Sequence, residues 1–177
     1  MHRLFVAIRP PRLLRQALLD AMGGVNNARW QNEEQLHLTL RFIGQVDRHR
    51  AEDVAAALGQ VHHPKFTMAL DGIGEFEKRG RIDSLWAGIT PHEPAKALHK
   101  KVSQALQRVG VPPETRAFLP HITLARFGRA AGPLGDIAMR AGGLSSPPVE
   151  IDEFCLYESE LSPEGSIYTV AARYPLA

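Results

Sequence analysis

Short apolar runs and helical stripes alternate along the chain in an order that occurs twice. The run from Leu4 to Ile8 is followed by an apolar stripe at helical spacing from about Pro11 to Met22. The run from Leu85 to Ile89, 81 residues later, is followed by a similar stripe from about Pro94 to Val109. Both stripes begin at proline and end before glycine, which is typical of helices. The pattern predicts a strand and then a helix in each half of the chain.

A four-residue motif is repeated after the predicted helices. His37-Leu38-Thr39-Leu40 recurs 84 residues later as His121-Ile122-Thr123-Leu124. Strand-like runs follow each copy, from Phe66 to Leu70 and from Val149 to Tyr157. The recurrence of strand, helix, motif and further strand indicates an internal repeat.

This order of elements predicts a single α+β domain over residues 1–177. Further short helices are predicted from Glu52 to Leu58 and from Leu134 to Ala138. We expect a bilobal fold with two pseudo-symmetric lobes, from halves of approximately residues 1–84 and 85–177. Each lobe is expected to have a small, mainly antiparallel sheet flanked by helices. Duplicated chains often place their halves about a pseudo-two-fold axis, with a cleft between them.

The repeated motif places an imidazole and a hydroxyl on one face of a strand. Residues two apart in a strand point the same way, so His37 and Thr39 share a face, as do His121 and Thr123. Two histidines suit proton transfer near neutral pH, and threonine hydroxyls can hydrogen-bond phosphate oxygens. A single His-x-Thr is common in strands, and duplication can also preserve a structural pair. A structural role, however, does not require polar residues on the less apolar face, so we favour a catalytic one.

Two arginines are candidate phosphate contacts near the motifs. Arg41 lies four residues after His37, and alternation places it on the same face. Arg126 lies five residues after His121, which places it on the opposite face unless the strand bulges. Alternation alone therefore favours Arg41.

Charge and composition narrow the class of protein. Residues 1–129 carry a net charge of +7 and the remainder −5, and arginine outnumbers lysine 16 to 5. A basic portion of this kind fits an anionic ligand without identifying one. No apolar run approaches the roughly 18 residues of a membrane span, and the first apolar run is too short for a secretory signal. We therefore expect a cytoplasmic protein without a membrane segment.

The remaining candidate groups have weaker signals. Cys155 lies in an apolar run and is expected to be a buried thiol. No recognised ligand spacing or nucleotide-binding glycine loop is present, so no metal and no cofactor are predicted. Phe5, Trp30, Phe42 and Trp86 are candidates for stacking a base, although most strand aromatics belong to the core. The sequence predicts surface-loop positions for His62, His63, His92 and His99.

With these motifs the chain resembles the 2H phosphoesterase superfamily, named for two His-x-Thr/Ser-x motifs. It is most similar to the branch of RNA 2′,3′-cyclic phosphodiesterases, historically called 2′-5′ RNA ligases. The segments that carry the resemblance are Arg3 to Ile8, Arg29-Trp30, Leu36 to Leu40, Leu85 to Gly88, Phe118 to Arg126 and Tyr168 to Leu176.

The resemblance implies a metal-independent hydrolase that opens an RNA terminal 2′,3′-cyclic phosphate to a 2′-phosphate. It implies that His37 donates a proton to the leaving 3′-oxygen and that His121 accepts one from water. Thr39, Thr123 and Arg126 are implied as phosphate contacts, so the family pattern favours Arg126 over Arg41. It also implies a bilobal α+β fold with the active site in the central cleft, and ATP-independent 2′-5′ ligation as the reverse reaction.

Two other functions remain open at this point. One is a phosphodiesterase for a small cyclic-phosphate nucleotide, as in other branches of the superfamily. The other is a non-catalytic module that binds RNA ends, such as tRNA fragments, although such modules often lose one histidine and both are present here. We expect a monomer.

Overall fold

The chain is described by a computed structural model that covers residues 1–129 and 142–177. The predicted helix from Leu134 to Ala138 lies outside the described residues. The elements, in chain order, are β1 (His2–Ile8), α1 (Arg12–Ala21), β2 (Arg29–Trp30), β3 (Leu38–Val46), α2 (Arg48–Leu58), β4 (Phe66–Lys78), β5 (Arg81–Thr90), α3 (Glu93–Arg108), β6 (His121–Arg126), β7 (Val149–Ile151), β8 (Glu153–Ser162) and β9 (Gly165–Pro175).

The predicted helices are confirmed, with one earlier start. The bounds of α1 and α3 lie within one residue of the prediction. Helix α2 begins at Arg48, before the predicted Glu52, because the carboxylate of Asp47 accepts a hydrogen bond from the Arg50 amide at 2.8 Å and caps it. Strand β4 runs past the predicted Leu70 to Lys78 and forms a long hairpin with β5.

In the described part of the chain the sheet has nine strands, which form two four-stranded groups that meet at a single residue pair, with the short strand β2 as the ninth. The strand order is β7-β4-β5-β6-β3-β1-β8-β9, and β2 pairs with β6. Between β6 and β3 only Leu38 and Ile122 are paired. All the described strand pairings are antiparallel, which agrees with the prediction of mainly antiparallel sheets. The strands β3-β1-β8-β9 form one lobe and β6-β5-β4-β7 form the other.

The two halves of the repeat exchange strands between these lobes. Strand β4, from the first half, pairs with β5, and β8, from the second half, pairs with β1. The expected boundary at residues 84/85 falls within β5. Each lobe thus takes strands from both halves of the chain.

The three helices of the described residues pack against one face of the sheet. The main core joins helix residues such as Leu14, Val54 and Leu98 to strand residues such as Val6 and Ile122. The opposite face, which we call the open face, has only a small cluster around Phe5, Ala7, Cys155 and Tyr157. Polar side chains of the strands are therefore free to face solvent on the open face.

Among the described residues, no helix has the length and apolar character to cross a membrane.

Candidate active site

His37 lies immediately before β3, with its ring between two aromatic side chains. Its ring centroid is 4.9 Å from that of Phe5 and 5.3 Å from that of Tyr168. Its Nδ1 atom is 2.7 Å from the carbonyl oxygen of Gln35. Because a carbonyl oxygen can only accept, Nδ1 carries a proton and donates it. The other ring nitrogen, Nε2, is left to gain or lose a proton.

His121, at the start of β6, is held in the same way. Its Nδ1 donates to the carbonyl oxygen of Leu119 at 2.6 Å, so in both copies the acceptor lies two residues before the histidine. Its ring contacts Phe76 and Trp86 at centroid distances of 5.0 and 5.8 Å. The repeated motif therefore repeats the tautomer as well, and each ring leaves Nε2 available.

Gly74 provides the space in which Trp86 lies beside His121. The two residues are paired across β4 and β5, and a Cβ atom on Gly74 would overlap the indole at Cζ2. No side chain other than hydrogen fits there without displacing the ring. The contact between Trp86 and His121 thus depends on this glycine.

The two motifs meet where the lobes join. Leu38 and Ile122 form the joining pair, and both are buried in the helix-side core. In an antiparallel pair the flanking residues point to the opposite face, so each histidine lies across from the threonine of the other motif. The side chains brought together on the open face are His37, Thr39, His121 and Thr123. Each is partly exposed, which leaves this group accessible to a bound anion.

A bulge in β6 brings Arg126 to the same face. The pairing of β6 with β5 skips Leu124, so that Thr123 lies opposite Trp86 and Arg126 opposite Ser84. Trp86 and Ser84 are two residues apart and share a face, and their partners therefore share it too. Strict alternation, which places Arg126 on the face opposite His121, is wrong because β6 bulges at Leu124.

A bulge at the equivalent place in β3 turns Arg41 away. The pairing with β1 skips Leu40, so Thr39 lies opposite Ala7 and Arg41 opposite Val6 on the helix side. Arg41 is only 3% exposed, and its Nε lies 3.6 Å from a carboxylate oxygen of Glu114. Alternation therefore gave the wrong face for Arg41 as well.

The surroundings lower the pKa of both histidines. The pKa of His37 is lowered from 6.5 to about 4, mainly by burial and also by the charges of Arg126 and His121, whereas the hydrogen bond to Gln35 raises it. Burial and Arg126 also lower the pKa of His121, against the bond to Leu119. Both rings are therefore mostly neutral near pH 7 without a ligand. The influence of Arg126 on both rings places its charge near each of them.

A cavity of about 510 Å³ opens beside Arg126, between β2 and the hairpin of β8 and β9. Trp30, Gln35 and Tyr168 line it together with the hairpin turn. The amide of Gln35 donates to the carbonyl oxygen of Ser166 at 2.9 Å, which ties that turn to the segment before His37. The sequence singled out Trp30 but gave no signal for Gln35.

The aromatic candidates differ in their exposure. Phe5 is buried beneath His37, and Trp86 packs on His121, so both support the histidines. Phe42 is 46% exposed on the open face. Phe76, which the sequence did not single out, is 37% exposed beside His121. Its position on an extended hairpin arm depends on pairings that local sequence patterns do not specify.

His99 belongs to α3 and contacts both motif segments. Its Nδ1 is 2.6 Å from the carbonyl oxygen of Leu40, the residue skipped in the β3 bulge. Its ring stacks on Phe118 at 4.1 Å with an interplanar angle of 3°. The next residue, Leu119, supplies the carbonyl that holds His121. One side chain thus connects the β3 bulge to the segment that orients the second histidine.

The surface-loop prediction is wrong for two of the other histidines. His99 lies in a helix, and His63 is buried with 8% exposure. Cys155 is buried as predicted, and burial together with the Glu153 carboxylate raises the pKa of its thiol to about 12. Within residues 1–129 and 142–177, no group of three or more histidine, cysteine or acidic side chains is arranged to hold a metal ion.

The fold and the paired motifs agree with one family of enzymes. The chain belongs to the 2′-5′ RNA ligase superfamily, whose model matches residues 9–162. Within it, the relatives are RNA 2′,3′-cyclic phosphodiesterases. The relative of that name from Thermus thermophilus is 33% identical over 186 residues, covering 98% of this chain and 90% of its own. One from Archaeoglobus fulgidus is 28% identical over 169 residues, covering 94% and 96%.

Solved structures support the same assignment. A crystal structure of a Thermus thermophilus protein aligns with a TM-score of 0.81 and 27% identity over 98% of this chain and 97% of that one. Escherichia coli LigT, crystallised with 3′-AMP, aligns with a TM-score of 0.78 and 25% identity over 99% and 98%. The predicted family, α+β fold and enzyme class are thereby confirmed.

Proposed function

We propose that this protein hydrolyses RNA terminal 2′,3′-cyclic phosphates to 2′-phosphates by general acid–base catalysis with His37 and His121. The observation that carries the proposal is the matched pair of Nδ1 hydrogen bonds, to Gln35 and Leu119, which leaves Nε2 of both rings without a hydrogen bond among the described residues. Two such nitrogens on one face can exchange protons with opposite sides of a single phosphate. The names of the relatives supply the substrate class.

The phosphate would be held between the two motifs. The hydroxyls of Thr39 and Thr123 donate to its non-bridging oxygens, and Arg126 stabilises their negative charge. Arg126 suits this role because its charge already influences both imidazoles. These contacts would strengthen as charge builds up on the phosphoryl oxygens in the transition state.

Proton transfer accompanies exchange of one bond at phosphorus. His121 Nε2 takes a proton from water as the water oxygen attacks phosphorus. The bond from phosphorus to the 3′-oxygen breaks, and protonated His37 Nε2 donates its proton to that oxygen. The product has a free 3′-hydroxyl and a 2′-phosphate. With the 5′-hydroxyl of a second RNA in place of water as the nucleophile, the same proton transfers would break the bond from phosphorus to the 3′-oxygen and form a 2′-5′ phosphodiester without ATP.

Substrate binding would favour the protonated form of His37, which the reaction requires because His37 acts as the acid. In the unliganded protein the pKa of His37 is about 4, largely because of burial. An anionic phosphodiester beside the ring favours the protonated form and offsets the charge of Arg126. The substrate therefore raises the pKa of the acid that the reaction requires.

A defined RNA end tests this proposal. The protein is mixed with a short oligoribonucleotide ending in 2′,3′-cyclic phosphate, and the product end group is identified by mass and phosphatase sensitivity. We expect a 2′-phosphate, and we expect His37→Ala and His121→Ala each to reduce turnover by at least about 100-fold. Chelator is expected to leave the rate unchanged.

Other outcomes would replace the proposal with a named alternative. A 3′-phosphate product would contradict the assigned roles. Preference for a mononucleoside cyclic phosphate over the oligonucleotide would favour a small cyclic-nucleotide phosphodiesterase. Binding of the RNA end without turnover over hours would indicate a non-catalytic module.

A further inference from the structure

The hairpin of β4 and β5 extends the open face beyond His121. Phe76 contacts the His121 ring and is 37% exposed. The pairing of β4 with β5 shifts register after Phe76, but the skipped residue, Asp83, is on β5. Strand β4 itself keeps its alternation, so Lys78, two residues further, lies on the same face, about 7 Å along the strand. Its cross-strand partner is Arg81, which shares that face. An exposed aromatic ring is thus followed by a pair of cations on the catalytic side.

The acidic residues of the same strand lie on the other face. Glu75 and Glu77 flank Phe76 and therefore point away from the open face. The hairpin consequently separates its charges, with the basic side chains toward the site and the strand's acidic ones away from it. This separation is lost in the formal net charge, which is only +2 for the chain.

The hairpin tip borders a basic cavity of about 490 Å³. Its lining includes Lys78, Arg79, Arg81 and Arg129, together with one acid, Asp83. All four cations are exposed, and no ion pair within the described ranges involves any of them. Arg129 lies three residues after Arg126 in the chain. The lining of the cavity therefore includes a residue only three positions along the chain from the arginine proposed to contact the phosphate.

The other hairpin at this edge has a different character. Around its turn, residues 159–168 contain no lysine or arginine but include Glu160 and Glu164. Leu161 is 79% exposed there. A polyanion leaving the site would meet attraction along the β4–β5 hairpin and no compensating cation on the β8–β9 turn.

We propose that the β4–β5 hairpin binds the RNA chain that precedes the reacting end, with the terminal base on Phe76 and the next phosphodiester at Lys78 and Arg81. The inference rests on the proposed function and makes an oligonucleotide, rather than a mononucleotide, the preferred substrate. Aromatic stacking combined with a basic groove is the usual means of binding single-stranded nucleic acid. Backbone phosphates supply most of such affinity and make it depend on salt.

The test compares two substrates and two double variants. The substrates are a short oligoribonucleotide ending in 2′,3′-cyclic phosphate and the mononucleoside 2′,3′-cyclic phosphate of the same terminal base. The hairpin variant is Lys78→Gln/Arg81→Gln. The control, Lys96→Gln/Lys100→Gln, removes the same two charges from exposed positions of α3, on the helix side. Values of kcat/KM are measured for each protein over a range of salt concentrations.

We expect the hairpin variant to lose about tenfold or more in kcat/KM on the oligonucleotide, mainly through KM. The mononucleotide has no preceding phosphodiester, so its kcat/KM should change less than about twofold, which also reports that the variant is folded. On a log–log plot, the salt dependence of the oligonucleotide reaction should flatten by about 0.7 for each phosphate that the variant no longer binds. The control should resemble the wild type on both substrates.

Equal losses on the two substrates, no loss on either, or the same loss in the control would overturn the inference. Arg29→Gln provides a further arm, because Arg29 lines the cavity on the other side of β6. Selective loss on the oligonucleotide in that variant alone would show that the chain leaves on that side instead. If the wild type hydrolyses neither substrate, the proposed function itself fails. If it hydrolyses both with equal kcat/KM, only the inference about the hairpin fails.

Discussion

Protonation of His37 is expected to destabilise the folded protein. The pKa of this residue is about 4 in the fold, against 6.5 without the surrounding structure. The unfolded chain therefore binds the proton more tightly, and stability falls as pH falls through this range. The contribution is fully present above pH 6.5, is lost between there and about pH 4, and changes little below that. By linkage the loss amounts to about 3 kcal/mol of unfolding free energy.

The substitution His37→Asn isolates this effect. An asparagine amide can occupy the position of Nδ1 and still donate to the carbonyl oxygen of Gln35, but it has no proton to gain in this range. The control is His49→Asn, which removes an exposed histidine of α2. Urea unfolding of all three proteins is followed by tryptophan fluorescence near pH 7.5 and near pH 4.

We expect the loss of stability between the two pH values to be smaller in His37→Asn than in the wild type by about 3 kcal/mol. Some loss remains in the variant, since burial also lowers the pKa of His121 and His63. The His49→Asn control should follow the wild type. Equal losses in wild type and His37→Asn, within about 0.5 kcal/mol, would refute the reasoning that burial in the fold opposes protonation of this ring.

Three further predictions concern the residues around the motifs. Arg126→Gln should reduce kcat/KM by about 100-fold and move the pH profile of kcat/KM to higher pH, because loss of the positive charge raises the pKa of both histidines. Arg41→Gln should instead lower the melting temperature, with little change in kcat/KM or in its pH profile. Gly74→Ala should displace the Trp86 indole, cost about 1–3 kcal/mol of stability and reduce turnover, as measured by urea unfolding, tryptophan emission and initial rates; wild-type emission would contradict the packing described here. His99→Leu should reduce kcat several-fold with little change in KM, and His99→Asn, which can still donate to Leu40, should restore part of it; a loss of stability with an unchanged kcat would indicate a structural role only.

Local signals were sufficient for the motifs and the helices. Alternation in His37-Leu38-Thr39-Leu40 places apolar side chains toward helices and polar ones away from them, and Leu38 and Leu40 are indeed buried. The proline at the start and the glycine after the end of each apolar stripe predicted the bounds of α1 and α3, because these residues favour helix starts and ends within one turn. Such features depend on neighbours in sequence, which is why one chain sufficed to find them.

The alignment of the two first strands was wrong by two residues. The sequence matched Phe5 with Trp86, whereas the sheet register gives Trp86 the place of Ala7, opposite the motif threonine. A slip of two residues preserves the face to which every side chain points, so the apolar pattern cannot detect it. Strand exchange between the lobes was missed for a related reason, since the pairing partners of β4 and β8 are distant in sequence.

The bulges in β3 and β6 occur at equivalent positions of the two motifs, but they bring different side chains to the open face. Each motif strand skips the leucine after its threonine, so the residue five positions after the histidine reaches the open face, as Phe42 in one copy and Arg126 in the other. The Arg3 guanidinium already lies over the Phe42 ring at 5.4 Å. An arginine at that position would repel Arg3 and add a further charge that opposes protonation of the imidazoles. With an arginine at only one of these two positions, the site can bind one phosphate and the histidines can still be protonated. The duplicated backbone provides two equivalent positions, and the difference between Phe42 and Arg126 supplies a single arginine.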